Sequence, residues 1–316
     1  MKEVLTFGET MIVMSPDSNG PLRYVNSFNK SIGGADSNVA IALARLGHSA
    51  GWFSKLGNDE FGKYVLNTVR GEGVDVSKVR FDDEASTGLL FKERFNNDNP
   101  NVYYYRKNSA ASRLNIEDMD LDYIKDTKII HITGITPALS KSAREVVFKV
   151  IEVAKQNGVM ISFDPNIRLK LWTIEEAKPV LLEIAKASDI IFPGNSEGEL
   201  LLGTADEKEI ADKFLAMGSK IVAVKLGADG CYVADNKTTN YVKGFRIENP
   251  VDTVGAGDGF AAGFLSGVLK ELSLEECGIL GNGVGAMATL VKGDMEGFPY
   301  YDQLMQFMGK KKKIDR

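Results

Sequence analysis

Short apolar runs alternate with amphipathic stretches along most of this chain, and that alternation is the tightest constraint on its fold. EVLTF (3–7), KIIHITGI (128–135), VMISFDPN (159–166), DIIFPGN (189–195) and KIVAVKLG (220–227) are each five to eight residues long. They are rich in β-branched residues and nearly continuous in hydrophobicity, as strands buried on both faces are. Between them lie helical stretches. GGADSNVAIALARLG opens at the Gly33-Gly34 turn, offers Ser37 or Asn38 as a cap, repeats Val39, Leu43 and Leu46 on one face, and stops at Gly47. EFGKYVLNTVRGEG, SAREVVFKVIEVAKQNG and EKEIADKFLAMG read as helices, and EEAKPVLLEIAKAS as one broken or begun near Pro179. Two further helices, from GDGFAAGFLSGVLKEL and LEECGILGNGVGAMATLVKG, end the chain. Strands alternating with helices predict an α/β fold, with a mainly parallel sheet covered on both faces.

One segment breaks the rhythm. TGLLFKERFNNDNPNVYYYRK (87–107) reads as two strands joined by an Asn/Asp/Pro loop, and its second arm carries Tyr103, Tyr104 and Tyr105. With residues 10–32 it predicts a small antiparallel lid on a single domain covering 1–316. AGWFSKLG reads as one more strand, CYVADNKTTNYVKGF as a hairpin, and ELLLG as a short helical turn.

Composition narrows the function classes. A formal net charge of −5 gives no general attraction to nucleic acid. No apolar run approaches the roughly 20 residues of a membrane span, and MKEVLTFGET does not resemble a signal peptide. Cys231 and Cys277 are the two cysteines, without metal spacing, so a reducing cytoplasm is expected. His48 and His131 are expected to be structural. Lys310 to Lys313 read as a solvated tail.

The chemistry concentrates in VDTVGAGDGFAAGF (251–264), a glycine-rich turn entering a helix. Glycines let backbone N–H groups converge on an anion, so Gly255, Ala256 and Gly257 could hold a phosphoryl group. It is neither a Walker loop nor an early GxGxxG, which disfavours a dinucleotide site. Asp258 admits two readings. It could stabilise the first helical turn through the dipole. It could instead take the proton from an acceptor hydroxyl that attacks phosphorus.

DTVGAGD together with GGADSNVAIALARLG resembles the two signatures of the PfkB, or ribokinase-like, carbohydrate kinases, and the resemblance covers essentially the whole chain. It implies a three-layer α/β/α sandwich with a β-lid over the sugar, ATP as donor and Mg²⁺ as helper. It implies Asp258 as general base, the amides of 255 to 257 as anion hole, and Gly33, Gly34 and Asn38 against the sugar. Glu197 in GNSEGE matches the glutamate of the family's NxxE motif, which organises Mg²⁺, but Gly194 stands where the motif has asparagine and Asn195 is shifted by one. KLGADG resembles the nucleotide loop, placing Lys225, Gly227 and Gly230 near ATP, with Asn282 near the base. Asp164 and Asn166 could join the polar network around the phosphates.

Tyr104 and Arg106 lie two apart, hence on one side of a strand, and Arg168 follows a strand end in FDPNIRLKLW. Two arginines suit an acidic substrate, because guanidinium grips carboxylate through two hydrogen bonds. Structural ion pairs or ATP phosphates are the other readings of both. YYYRKNSAAS, HITGITPALS and DPNIRLKLW are similar to the 2-keto-3-deoxygluconate kinases of this family, which implies a sugar-acid substrate and a 6-phosphate product. A fructokinase or ribokinase-like enzyme acting on a neutral sugar is the alternative. The tyrosines and free edges of the lid predict at least a homodimer.

Overall fold

The computed structural model describes residues 2–95 and 101–311. The Asn/Asp/Pro loop predicted before Asn101 falls mostly outside them, as does the end of the lysine run.

An eight-stranded sheet forms the middle of the body. Its order is Thr239–Lys243, Gly230–Asp235, Ile221–Lys225, Ile190–Ile191, Met160–Asp164, Thr127–Thr133, Lys2–Phe7 and Ala50–Phe53. The last six run parallel, and the first two extend the sheet as an antiparallel hairpin. Side chains alternate along each strand. In Lys2–Phe7, Leu5 and Phe7 therefore enter one core while Val4 enters the other. Helices Ala35–Arg45, Ala256–Leu269 and Leu274–Ala288 cover the Val4 side with Val39, Leu43, Phe260, Phe264, Leu280 and Val284. Helices Lys141–Gln156, Ile174–Ala187 and Glu207–Ala216 cover the other with Val146, Val150, Leu181, Ile184, Ile210 and Phe214. The result is a three-layer α/β/α body with two cores. Phe264 packs edge-on against Phe192 at 5.3 Å between ring centres. Truncating such a buried ring costs about 3–5 kcal/mol.

A separate four-stranded sheet has the order Phe28–Gly33, Met11–Pro16, Leu89–Glu93, Asn101–Tyr105. Its central pair, Met11–Pro16 with Leu89–Glu93, is parallel, so the sheet is mixed rather than antiparallel. The reason is connectivity: the chain passes through the body between Gly33 and Leu89, and that crossover returns the third strand in the same direction. Met11, Val13 and Leu90 pack together on the inner face. Phe28, Phe91 and Tyr105 meet edge-on along the outer face, at 5.5 and 5.7 Å.

Several elements differ from the sequence reading. AGWFSKLG splits into Ala50–Phe53 and Lys55–Gly57, and the latter pairs with Arg80–Asp82, a strand the pattern did not show. The helix Ile174–Ala187 runs through Pro179. Thr173 and Glu176 cap it reciprocally, and Pro179 lies on the exposed face, where water can take the freed carbonyl. Neither Ser37 nor Asn38 caps Ala35–Arg45: the helix starts earlier, with extended Gly34 at its N-cap. A third C-terminal helix, Tyr301–Phe307, follows the two expected ones.

Candidate active site

Two clefts open beyond the carboxyl ends of the parallel strands, where this architecture places ligands. One, of about 840 Å³, is lined mainly by glycine, alanine and apolar side chains, among them Gly227, Gly230, Phe245, Gly257, Phe260 and Gly285. The other, of about 1370 Å³, is lined by Gly33, Gly34, Asn38, Tyr104, Arg106, Asn166, Arg168, Glu197, Gly255 and Asp258, with Lys92 and Asp294. The clefts share Lys225, Thr253 and Gly257.

The shared border is the start of helix Ala256–Leu269. Gly255, its N-cap, is left-handed at φ 80°, and a Cβ there would lie 2.0 Å from the Asp294 carbonyl oxygen. Both facts demand glycine. The N–H groups of Gly255 and Gly257 have no acceptor among the described residues, whereas the N–H of Ala256 already donates to Thr253 O at 3.3 Å. The turn thus presents two free donors rather than the three expected from the sequence.

Asp258 stands in the first turn but makes no capping bond there. It accepts from Asn38 Nδ2 at 2.8 Å. Burial, with Asp164 adding to it, pushes its pKa up to about 7; Asn38, Arg168 and Lys225 pull the other way. A carboxyl poised near neutrality can hold or release a proton at working pH. Asn38 reaches it because Gly34 lies against Glu9 and Thr10, where a Cβ would meet the Glu9 carbonyl oxygen at 2.5 Å.

On the border's other flank, Lys225 Nζ lies 2.6 Å from Asp164 Oδ2. Burial alone would lower the Lys225 pKa, but Asp164, Glu197 and Asp258 outweigh it and raise it. The ammonium is therefore charged. Glu197 accepts from the Gly194 N–H at 2.8 Å and the Ile167 N–H at 3.0 Å, and its pKa is raised by burial and by Asp164, against Lys225. Asn195 does not replace the missing asparagine of the NxxE pattern: its amide donates to Ala205 O at 2.7 Å. Asn166 sits at φ 38°, with its Oδ1 buried and unpartnered. Among the described residues, no three His, Cys, Asp or Glu side chains group to hold a metal directly.

The end of the charged cleft at Tyr104 and Arg106 is more entangled than the sequence suggested. The Arg106 guanidinium pairs with buried Glu9, which also accepts from Ser109 Oγ. The Arg106 Nε is buried and has no acceptor among the described residues. Arg106 and Lys170 each place a cation over the Tyr104 ring, 5.5 Å from its centre. Arg168 is exposed at the cleft and, among the described residues, its side chain bonds only its neighbour's carbonyl, Ile167 O, at 3.3 Å. Asn282 lines the apolar cleft but spends its amide on Val242 O and Lys243 O, at 3.0 and 3.3 Å.

Some residues escaped the sequence reading. Glu9 follows the first strand, and a charge just past a buried strand end was the available signal. Lys92, Arg94 and Asp294 gave none, because their partners lie some 160 to 200 residues away. Buried Asp36 accepts from Thr133 and Thr136 at 3.2 and 3.5 Å, and burial holds it well above the usual carboxylate range. His131 is buried against Ser162, His48 bonds Ser266, and both cysteines are free and buried. No helix among the described residues is long and apolar enough to cross a membrane.

Comparison with known proteins identifies the family. A 2-dehydro-3-deoxygluconokinase of Bacillus subtilis is 42% identical over 99% of this chain and 97% of its own length. A 5-dehydro-2-deoxygluconokinase of Clostridium perfringens is 32% identical over 98% and 94%. An E. coli protein assigned as ribokinase II, solved with ATP and Mg²⁺, superposes with a TM-score of 0.92 at 27% identity, covering 98% of this chain and all of that one. The pfkB family carbohydrate kinase model matches residues 1–300, and this chain belongs to that family.

Proposed function

We propose that this carbohydrate kinase transfers the γ-phosphoryl group of ATP to 2-keto-3-deoxygluconate, giving the 6-phosphate. The carrying observation is the shared border: two clefts of opposite character meet at Lys225, Thr253 and Gly257, and Asp258 stands beside that junction. The apolar cleft suits a base and ribose, with Gly227 and Gly230 leaving room. The charged cleft suits a polyol acid. Asp258, held by Asn38, takes the proton from the acceptor hydroxyl. The free N–H groups of Gly255 and Gly257, with Lys225, receive charge developing on the phosphoryl oxygens. Asp164, Asn166 and Glu197 offer hard oxygen donors, so Asp164 and Glu197 would meet the Mg²⁺ of ATP through its water shell, and that ion would neutralise phosphate charge. The small sheet acts as a lid that excludes competing water.

Arg106, Arg168 and Tyr104 take the acid end. Glu9 fixes one edge of the Arg106 guanidinium, and the unmet Nε–H is a donor that a bound carboxylate can satisfy. The test is ADP release with Mg·ATP and 2-keto-3-deoxygluconate, fructose or ribose. Preference for the sugar acid is expected, with kcat/KM falling roughly 10- to 100-fold in Arg106→Ala or Arg168→Ala. Preference for a neutral sugar would return both arginines to structural duty and favour the fructokinase-like alternative. The exposed Tyr103 and Tyr105 and the free edge of Asn101–Tyr105 favour pairing with a second copy, which sedimentation would measure. Two free cysteines suit a reducing cytoplasm.

A further inference from the structure

The strand Leu89–Glu93 of the small sheet carries a lysine where its inner face should be apolar. Leu90 and Lys92 share that face, yet Lys92 is only 3% exposed. A buried ammonium needs a partner, and Lys92 has two. Its Nζ lies 2.9 Å from Asp294 Oδ1 and 3.8 Å from Asp252 Oδ2. Arg94, just beyond the strand, places Nη2 2.9 Å from the same Asp252 oxygen. Two cations of the small sheet thus face two carboxylates of the body.

Those carboxylates frame the phosphate-facing turn. Asp252 accepts from the Val254 N–H at 3.2 Å through its other oxygen, shaping the approach to Gly255. The backbone of Val251 is tied in turn to Thr289 O at 2.8 Å. Asp294 presses its main-chain carbonyl against Gly255, at the point a Cβ would occupy. The position of the free amides at 255 and 257 is therefore fixed from both sides by groups that Lys92 and Arg94 hold.

We propose that Lys92 and Arg94 are positioning residues for phosphoryl transfer, which lock the anion-binding turn to the sheet that covers the sugar. This rests on the reading of residues 255 to 257 as the anion hole. Such amides help only if already aimed, and a misplacement of about 1 Å can cost 10²-fold in rate. The lock also makes the turn's alignment depend on the sheet being seated. Buried ion pairs are weak stabilisers, and apolar replacements often do as well; what a four-charge cluster offers here is a fixed geometry. Burial raises the pKa of Asp294 while Lys92 opposes that rise, so losing the lysine leaves a carboxyl prone to protonation.

The test separates positioning from stability. Lys92→Met should lower kcat roughly 10- to 100-fold with KM for the sugar within about threefold. The double variant Lys92→Met/Asp294→Asn carries no unpaired carboxylate, so it should regain melting temperature without regaining kcat. Recovery of both would overturn the proposal and leave the cluster a structural ion network. Unchanged kcat in Lys92→Met, or a raised KM at constant kcat, would overturn it too, the latter by making Lys92 a sugar contact. If Lys92→Met fails to fold, the double variant and Arg94→Lys carry the same readout, with Arg94→Lys expected to keep the fold and lose part of kcat. Failure of the anion-hole reading shows separately, as full activity in Gly255→Ala.

Discussion

The two clefts are built from opposite materials. The apolar cleft is shaped by backbone: glycines, alanines and a few rings, with Lys225 as the one charged side chain among its described lining residues. The larger cleft is shaped by charge: Glu9, Asp164, Glu197, Asp258 and Asp294 face Lys92, Arg106, Arg168 and Lys225. A nucleotide is recognised mostly by outline and by amides at a helix start, and rigid backbone supplies both. A small polyol acid offers little outline, so it must be read by charge and hydrogen bonds. Damage should therefore spread differently: backbone changes strain the first cleft, while side-chain changes in the second alter rate and specificity.

The sharpest break of that contrast is Asp258→Asn. The change is isosteric and keeps the bond partner of Asn38, yet removes the proton acceptor. We expect kcat to fall about 10³-fold or more with ATP affinity nearly unchanged, measured by ADP release and nucleotide titration. With a pKa near 7, wild-type kcat/KM should climb with pH through neutrality, and that limb should vanish in the variant. Stability should move oppositely. The folded pKa lies above its ordinary value of 3.8, so the unfolded carboxyl ionises first and wild-type stability falls as pH rises from about 4 to about 7. Asp258→Asn escapes this loss. Its melting temperature at pH 8 should exceed wild type by about 3 °C or more, and equal melting at pH 8 would contradict the raised pKa.

Gly255→Ala probes the backbone at the border, on the rim of the charged cleft where the two clefts meet. The left-handed φ and the 2.0 Å approach to Asp294 O leave no room for a methyl group. The turn must shift, at a cost of about 2 kcal/mol or more, and the amides move with it. We expect a fall in melting temperature together with a kcat loss of roughly 10²-fold. A stable, fully active variant would mean that the turn does not hold phosphate.

This contrast also explains what the sequence disclosed. The α/β body was legible because buried parallel strands are continuous apolar runs and their helices are amphipathic. The turn at 255–257 and the Gly33-Gly34 turn were legible because close backbone approaches demand glycine locally. Asp258 could be singled out, but not its bond to Asn38, which joins residues 220 positions apart. The Glu9–Arg106 pair and the Lys92, Arg94, Asp252 and Asp294 cluster were opaque for the same reason: a charge in sequence does not say which charge it will meet. Pro179 misled because a capping box outweighs a single exposed break in the helix. The parallel pairing in the small sheet was hidden because strand direction depends on the whole path between strands.

The smallest expected effect lies at the rim of the charged cleft. Gly194 stands where the NxxE pattern that GNSEGE resembles has asparagine. Here the backbone N–H of Gly194 already bonds Glu197, and a Cβ on Gly194 would meet nothing closer than 3.7 Å. Its extended backbone, at φ −100°, admits asparagine without strain, and the N-cap of Asn195–Leu202 is a position asparagine favours over glycine by only a few tenths of a kcal/mol. Gly194→Asn should therefore raise the melting temperature by roughly 1 °C. It should leave kcat and the Mg²⁺ dependence within about twofold, because the Glu197 carboxylate keeps its two backbone donors. A larger gain in activity, or a lower Mg²⁺ requirement, would extend the charge-read cleft to residue 194 and make its glycine a functional loss rather than a neutral one.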